Sequence, residues 1–351
     1  MGIVKLTGER AWRTYLGGAL IDRLHGKVGE DSHFPEEWIM SVTECRNAGR
    51  EDVRGEGLTR LYGTDKFFAD YIKENPAVLG RAHYEKYGAN TGVLIKLIDS
   101  AERLSIQVHP DKEKARKYFH SEFGKTESWH ILGGRPEDHP CIYLGFREGV
   151  DRALWQEVFD RQDIEKMLGC LNRIEVSPGD TYLIRGGVPH AIGAGCFLME
   201  VQEPTDYTIR TERTTVSGFH IADEMCHQGI GFENMMDCFT YEGATPEETI
   251  EKYKLKPRRE GNGVVTSLIR YDDTPYFALR SIELNAGDTL RMEKSDVFCG
   301  LYVLCGKGRA ESDGVSADIA VGEQYFVPAN TEVSFVAEEP LRIARFFGPK
   351  V

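Results

Sequence analysis

Short strands that alternate apolar and polar residues, each ending near Gly or Pro, recur along most of this chain and are the strongest constraint on its fold. Regular helices do not separate them in the way that a doubly wound parallel sheet requires. The pattern therefore predicts a mainly β protein, built as a sandwich or barrel. The predicted strands include Gly92–Ile98, Leu104–His109, Cys141–Phe146, Asp180–Ile184, Tyr276–Leu284 and Gln324–Pro328.

Three stretches with helical periodicity interrupt the strands. Asp65–Glu74 carries aromatic residues at helical spacing and stops before Pro76. Asp151–Leu171 has a similar apolar face, and Asp151 is suited to cap its start. The third stretch runs from about residue 222 to 254 and contains a helix start at Pro246.

A weak internal repeat divides the chain into two halves. Gly179–Pro189 and Gly322–Pro328 each begin with a Gly-acidic turn, continue as a short apolar strand and end at a Pro corner. Such turns recur in any β protein, but the repeat also fits two β-barrels, one in each half. The predicted domains are residues 1–220 with helical insertions near 62–90 and 148–172, a helical segment 221–260, and a second barrel at 261–351. No histidine follows His227, so a histidine-based metal site is expected in the first barrel and the second is expected to bind no metal and to act as scaffold.

The charge balance and the cysteine pattern indicate which kinds of partner and which cellular location to expect. Acidic residues (56) outnumber basic ones (43), and no basic stretch is present, which argues against nucleic acid as a partner. No apolar run approaches the roughly 18–20 residues that span a bilayer, and the N-terminal segment lacks the apolar core of a secretory signal. Eight scattered cysteines without a CxxC pair are typical of a reducing compartment, which predicts a cytoplasmic location with no membrane partner.

The first candidate for chemistry is the strand that contains Gln107 and His109. Strand alternation places these two side chains on the same face, where an amide oxygen and an imidazole can share one metal ion. A surface strand with its polar residues outward would show the same pattern.

The next candidate segment contains Lys125, Glu127 and His130. In a strand Glu127 shares a face with Trp129 and Ile131, and an acidic residue buried there requires a cation or a hydrogen-bond donor. His130 points to the other face, so Glu127 is favoured as the metal ligand. Lys125 shares the face of Glu127.

The third candidate is His190, which follows the Pro corner of the first repeat. Together with Gln107, His109 and Glu127 it completes a ligand set of two imidazoles, one carboxylate and one amide. Zn²⁺, Fe²⁺ and Mn²⁺ all accept such a set.

Five segments in one order and register resemble the type I phosphomannose isomerases, which belong to the cupin superfamily. These segments span roughly residues 10–220. The chain departs from the family pattern on both sides of Arg210, at residues 205–209 and 211–215. The matching segments are Glu37–Ser41, Gln107–Asp111, Gly124–Trp129, Pro189–Gly193 and Leu198–Gln202.

The resemblance implies two cupin-type (jelly-roll) β-barrels with helical insertions, and one divalent metal, Zn²⁺, held by Gln107, His109, Glu127 and His190. It also implies that Arg210 is catalytic and that Lys125 lies beside the substrate, where both contact a sugar phosphate. The reaction it implies is the interconversion of mannose 6-phosphate and fructose 6-phosphate through a cis-enediol.

Two other functions fit parts of the same pattern. Two histidines and a carboxylate also form the iron site of non-haem oxygenases, although a fourth protein ligand, Gln107, would occupy a position that oxygen chemistry needs. A non-catalytic sugar-binding cupin is the other alternative. That function does not require the two cations, Lys125 and Arg210, beside the ligand set. The residue that would transfer the proton is left open: Asp111 is the carboxylate nearest to His109 in sequence, but it follows Pro110 and can simply begin a turn.

Overall fold

A computed structural model describes residues 2–351 except positions 48, 51 and 262. About a third of the chain is in strands and a fifth in helices, which confirms the predicted mainly β class. No helix among the described residues has the length and apolar character needed to cross a membrane.

The strands of the first 220 residues are mostly short. They are β1 (Val4–Thr7), β2 (Glu9–Ala11), β3 (Glu36–Ile39), β4 (Arg60–Leu61), β5 (Leu94–Ser100), β6 (Gln107–Val108), β7 (Glu127–Gly134), β8 (Cys141–Arg147), β9 (Leu171–Glu175), β10 (Thr181–Ile184), β11 (His190–Ile192), β12 (Cys196–Gln202) and β13 (Ile209–Arg210).

The remaining strands follow residue 220, and the first of them lies within the last helical segment. They are β14 (Gly243–Ala244), β15 (Arg258–Glu260), β16 (Val265–Ile269), β17 (Ala278–Leu284), β18 (Thr289–Met292), β19 (Cys299–Cys305), β20 (Lys307–Ser312), β21 (Val315–Ala320), β22 (Gln324–Val327), β23 (Val333–Ala337) and β24 (Leu341–Phe347).

The helices are short, and most lie in or beside the three stretches predicted from periodicity. Asp151 caps α5 through the backbone N–H of Leu154, and Thr245 forms a capping box with Glu248 at the start of α9, where Pro246 is the first residue. Two 3₁₀ helices, Pro76–Leu79 and Pro136–Asp138, accompany them. The α-helices are α1 (Ala19–Leu24), α2 (Phe68–Glu74), α3 (Arg81–Tyr87), α4 (Lys112–Phe119), α5 (Arg152–Asp160), α6 (Ile164–Gly169), α7 (Asp223–His227), α8 (Phe232–Asp237) and α9 (Pro246–Tyr253).

Two sheets form the N-terminal barrel. One has the order β10-β7-β12-β5-β3-β2, and the other has the order β13-β6-β11-β8-β14 with β9 beside β8. An apolar cluster between them includes Ile98, Trp129 and Leu144. The two sheets of the N-terminal barrel therefore pack around an apolar core of their own, as in a cupin-type barrel.

Two further sheets form the C-terminal barrel. An eight-stranded sheet with the order β15-β16-β17-β24-β19-β22-β1-β4 packs over a four-stranded sheet, β18-β23-β20-β21, around a second apolar core. Strands β1 and β4 come from the predicted first domain, so the sheets do not divide at the predicted limits 220 and 261. Gly179 and Gly322, the turn residues of the internal repeat, both have positive φ, at 94° and 83°.

Strands β3, β5 and β12 have one apolar face outside the N-terminal barrel and a second face that lines its interior. Ile39, Leu97 and Met199 pack into a large cluster shared with the C-terminal sheet. Strand alternation turns the intervening residues into the N-terminal barrel. Side chains at these inward positions, such as Lys96 and Glu200, therefore line the interior.

Candidate active site and metal centre

Three side chains that could hold a metal ion meet inside the N-terminal barrel. His109 directly follows β6, Glu127 begins β7 and His190 begins β11. Their ligand atoms all lie within 4.8 Å of one another, and all three residues are buried. The structure thus brings together three of the four ligands that the sequence suggested.

Hydrogen bonds to backbone carbonyls fix both imidazole rings. His109 Nδ1 donates to the carbonyl of Tyr207 at 2.8 Å, and His190 Nδ1 donates to the carbonyl of Val188 at 2.8 Å. A carbonyl oxygen only accepts, so each Nδ1 carries the proton and each Nε2 presents a lone pair. This is the orientation that metal-binding histidines require.

The lone pairs of the two Nε2 atoms converge with no proton between the rings, and the Lys125 ammonium approaches that of His109 at 2.7 Å. The two Nε2 atoms are 3.2 Å apart, and they lie 3.0 Å (His109) and 3.3 Å (His190) from the nearer oxygen of Glu127. Glu127 Oε1 is buried and has no hydrogen-bond donor among the described residues. Facing lone pairs repel each other, so a cation at their centre would stabilise the arrangement. The donor set therefore fits a divalent metal.

Burial tunes the protonation states toward metal binding. Burial, with help from the Lys125 ammonium, lowers the pKa of His109 to about 3, and burial also lowers the pKa of His190. Burial alone would raise the pKa of Glu127, but Lys125 and the two histidines hold that pKa well below its usual range. Neutral imidazoles and an ionised carboxylate are the forms that ligate metals.

Lys125 extends into the same cluster. Its Nζ lies 2.7 Å from His109 Nε2 and 2.7 Å from Glu127 Oε2. Because it precedes Glu127 by two residues, it reaches the face that the sequence predicted. The ammonium adds positive charge beside the ligand set and lines the adjoining cavity.

That cavity is also lined by the two remaining predicted residues, Gln107 and Arg210. Gln107 pairs with His190 on one side and with Arg210 on the other, so all three share one face of the sheet. Arg210 donates to the carbonyls of Thr208 (3.1 Å) and Met225 (3.4 Å). Within the described part of the chain, no carboxylate lies within 4 Å of its guanidinium. Burial lowers its pKa.

A buried ion network on the opposite wall was not predicted from the sequence. Arg13 contacts Asp206 at 3.1 Å and Glu36 at 3.0 Å, and Lys96 contacts Glu200 at 2.9 Å. Burial alone would raise the pKa of Glu36, but Arg13 and Lys96 lower it to about 2. The network therefore holds fixed charges along one side of the cavity.

Glu200 differs from the other carboxylates of this wall. Burial and the nearby Glu127 raise its pKa, against the effect of Lys96. It accepts a hydrogen bond from Trp129 Nε1 at 3.1 Å. Carboxylates with opposite pKa shifts in one cavity are typical of sites that move protons.

Two further residues considered from the sequence lie outside the cluster. The His130 ring contacts the Thr181 hydroxyl through Nδ1 at 2.9 Å, away from the ligand set. Asp111 accepts from the backbone N–H of Lys114 and caps α4. Both therefore have structural roles.

A sequence signal for the missed network did exist. Lys96 and Glu200 each interrupt an apolar run, in Val93–Ile98 and Leu198–Val201. They lie directly opposite each other on β5 and β12. A charge inside an apolar run is expensive to bury alone, which predicts a partner of opposite charge.

Comparison with known proteins finds similarity to phosphomannose isomerases. The model of the type I phosphomannose isomerase catalytic domain matches residues 59–126. The probable mannose-6-phosphate isomerase GmuF of Bacillus subtilis is 26% identical over 92% of this chain and 91% of its own length. The mannose-6-phosphate isomerase of Streptococcus mutans is 24% identical over 74% of this chain and 77% of its own length.

Solved structures agree in fold. The crystal structure of the mannose 6-phosphate isomerase of Bacillus subtilis superposes with a TM-score of 0.77 at 20% identity, covering 99% of both chains. A zinc-bound mannose 6-phosphate isomerase superposes with a TM-score of 0.72 at 17% identity, covering 99% of this chain and 100% of the other. Taken together, these comparisons show that the chain is similar in sequence to mannose-6-phosphate isomerases and has their fold.

Proposed function

We propose that this protein is a mannose-6-phosphate isomerase that interconverts mannose 6-phosphate and fructose 6-phosphate with one divalent metal, zinc. The observation that carries the proposal is the convergence of His109, Glu127 and His190 beside a cavity that also contains Lys125 and Arg210. A relative that aligns with 92% of the chain is named a probable mannose-6-phosphate isomerase.

The proposed ligands are His109, Glu127 and His190, with the amide oxygen of Gln107 as the fourth. Gln107 supports this role because it faces His190 across the strand pair and lines the cavity. When bound, the zinc ion would act as a Lewis acid on the sugar carbonyl.

Arg210 is proposed to stabilise the negative charge of the enediolate. Its two hydrogen bonds to backbone carbonyls hold the guanidinium in place before substrate arrives, which is the condition for electrostatic preorganisation. Lys125, on the cavity floor, is proposed to contact the sugar phosphate and assist proton movement.

Glu200 is proposed to carry the proton between C1 and C2 of the sugar. A base for this step must lie in the cavity and have a pKa closer to neutrality than an ordinary carboxylate. Glu200 meets both conditions. The neighbouring Glu36 and Asp206 have lowered pKa values and would remain ionised, because they neutralise Arg13.

We also propose a cytoplasmic location. All eight cysteines lie in the described part of the chain and none forms a disulfide, which fits a reducing compartment.

A coupled assay of zinc-loaded protein against a panel of hexose and pentose phosphates tests the proposal. We expect conversion of mannose 6-phosphate to fructose 6-phosphate, abolished in Glu127→Gln and retained in His130→Gln as the matched control. Zinc-loaded, folded protein that binds sugar phosphates without converting any of them would support the non-catalytic alternative. A product that forms only with iron and dioxygen would support the oxygenase.

A further inference from the structure

The C-terminal barrel carries a row of arginines that the isomerase site does not use. Arg258 of β15 pairs with Ser267 of β16, Ser267 with Arg280 of β17, and Arg280 with Arg345 of β24. Residues paired directly across strands project from the same face of a sheet. The row therefore presents three guanidinium groups side by side.

The face that carries the row is the inner face of the C-terminal barrel. Arg280 lies between Ala278 and Ile282 in the alternation of β17, and Arg345 precedes Phe347 by two residues on β24. Ala278, Ile282 and Phe347 all belong to the apolar core between the two C-terminal sheets. The arginines thus lie at the edge of that core, in the second barrel.

Arg280 and Arg345 crowd together in a way that costs stability. Their guanidinium carbons lie 5.2 and 4.7 Å from the centroid of the same ring, Phe347. Like charges directly opposite each other in a sheet repel. In a chain with a net charge of −13, such a concentration of arginines on one surface requires an explanation.

A cavity of about 460 Å³ is lined by Arg258 and Arg280 of this row and shares no lining residue with the active-site cavity. Arg259 and Arg270 join Arg258 and Arg280 in its lining. Its nearby carboxylates neutralise only part of the charge: Glu260 lies 3.5 Å from Arg280, and Asp273, outside the lining, binds Arg270 at 2.9 Å.

The remaining guanidinium groups have no such partner. Within the described residues, no carboxylate lies within 4 Å of Arg258, Arg259 or Arg345. A concave surface with several unpaired guanidinium groups matches the geometry of a phosphate, which accepts paired hydrogen bonds from arginine.

We propose that this cavity is a second ligand site, which binds a phosphate group, either free or carried by a small metabolite. Arg258 and Arg280 supply charge from the lining, and Arg345 adds to it from beside Phe347, which also lines the cavity. This proposal does not depend on the isomerase function, because it involves separate residues.

Phosphorus NMR titration of the zinc-loaded protein at low ionic strength tests the proposal, with inorganic phosphate and ribose 5-phosphate as probes. All titrations use a Lys125→Gln/Arg210→Gln background, which removes both active-site cations that are proposed to contact a sugar phosphate. We expect saturable binding that Arg280→Gln/Arg345→Gln weakens by about tenfold or more, because two charged donors are lost. The matched control is Arg291→Gln, which removes an exposed arginine of the other C-terminal sheet and should leave the affinity unchanged.

The single variant Arg258→Gln keeps the test decisive if the double variant misfolds, because Arg258 is exposed on an edge strand. We expect it to weaken binding by about threefold or more. Tighter binding of ribose 5-phosphate than of phosphate would identify an esterified ligand, and equal affinities would identify the free anion. Absence of saturable binding up to about 10 mM, or affinities unchanged in both arginine variants, would overturn the proposal.

Discussion

Arg210 offers the sharpest test of how the proposed active site works. The guanidinium is anchored by two backbone carbonyls and lies beside Lys125 and Gln107 in the cavity, without a carboxylate within 4 Å among the described residues. Its charge is therefore free to act on the substrate. A unit charge about 4 Å from a developing anion contributes about 4 kcal/mol at an effective dielectric constant of about 20. Arg210→Ala should then lower kcat by about 10²–10³, the usual cost of losing one preorganised donor.

The steady-state pattern separates two roles for Arg210. If the guanidinium stabilises charge that exists only in the transition state, kcat and kcat/KM fall together. Arg210→Lys keeps a positive charge but loses the guanidinium nitrogen that donates to both carbonyls. We therefore expect this variant to recover only part of the activity. Arg161→Ala, which removes an exposed arginine directly after α5, is the control for loss of one positive charge. A raised KM with unchanged kcat in Arg210→Ala would refute the reasoning and make Arg210 a phosphate anchor.

Three further predictions follow from burial and alternation. Glu127→Ala should reduce activity by orders of magnitude, whereas His130→Ala should cost about tenfold or less, about 1.4 kcal/mol; steady-state rates in the reverse order would contradict the register of β7. His190→Ala should purify folded but without zinc in elemental analysis, and full occupancy would remove His190 from the ligand set. Glu36, with a pKa of about 2 against 4.5 when unfolded, should contribute about 3 kcal/mol above pH 4.5 and progressively less as the pH falls toward 2. The difference in urea unfolding free energy between wild type and Glu36→Gln should shrink between pH 5 and 3, and a constant difference would contradict the ion network.

Period-2 alternation was enough to predict the main features of the site. It separated Glu127 from His130 on β7, and the structure places them on opposite faces, with Glu127 beside both histidines and His130 against Thr181. Alternation also predicted the mainly β fold class and six strands within it. Both inferences depend only on local backbone geometry, which a sequence encodes directly.

Contacts between distant residues limited the prediction elsewhere. The predicted strand Leu104–His109 is only Gln107–Val108 in the structure, because the Glu212 carboxylate accepts from the backbone N–H of Ile106 at 2.6 Å and interrupts the sheet ladder. Likewise, β1 pairs with β22, more than 300 residues away, so the first strand completes the second barrel. No local pattern identifies such partners.

The buried ion network shows a related limit. Lys96 and Glu200 are visible as charges in apolar runs, but Arg13 and Asp206 come from polar segments that resemble ordinary loops. Their pairing at 3.1 Å depends on how the N-terminal segment that contains Arg13 folds against the barrel. The sequence therefore indicates that charges are buried but not which partner neutralises them.

Anomalous diffraction at the zinc absorption edge, from crystals of the zinc-loaded protein, tests the central claim most directly. We expect one fully occupied ion, bound by the Nε2 atoms of His109 and His190, the Glu127 carboxylate and the Gln107 amide oxygen. We expect no ion within residues 261–351. An ion bound elsewhere, or a second ion held by the C-terminal barrel, would contradict it.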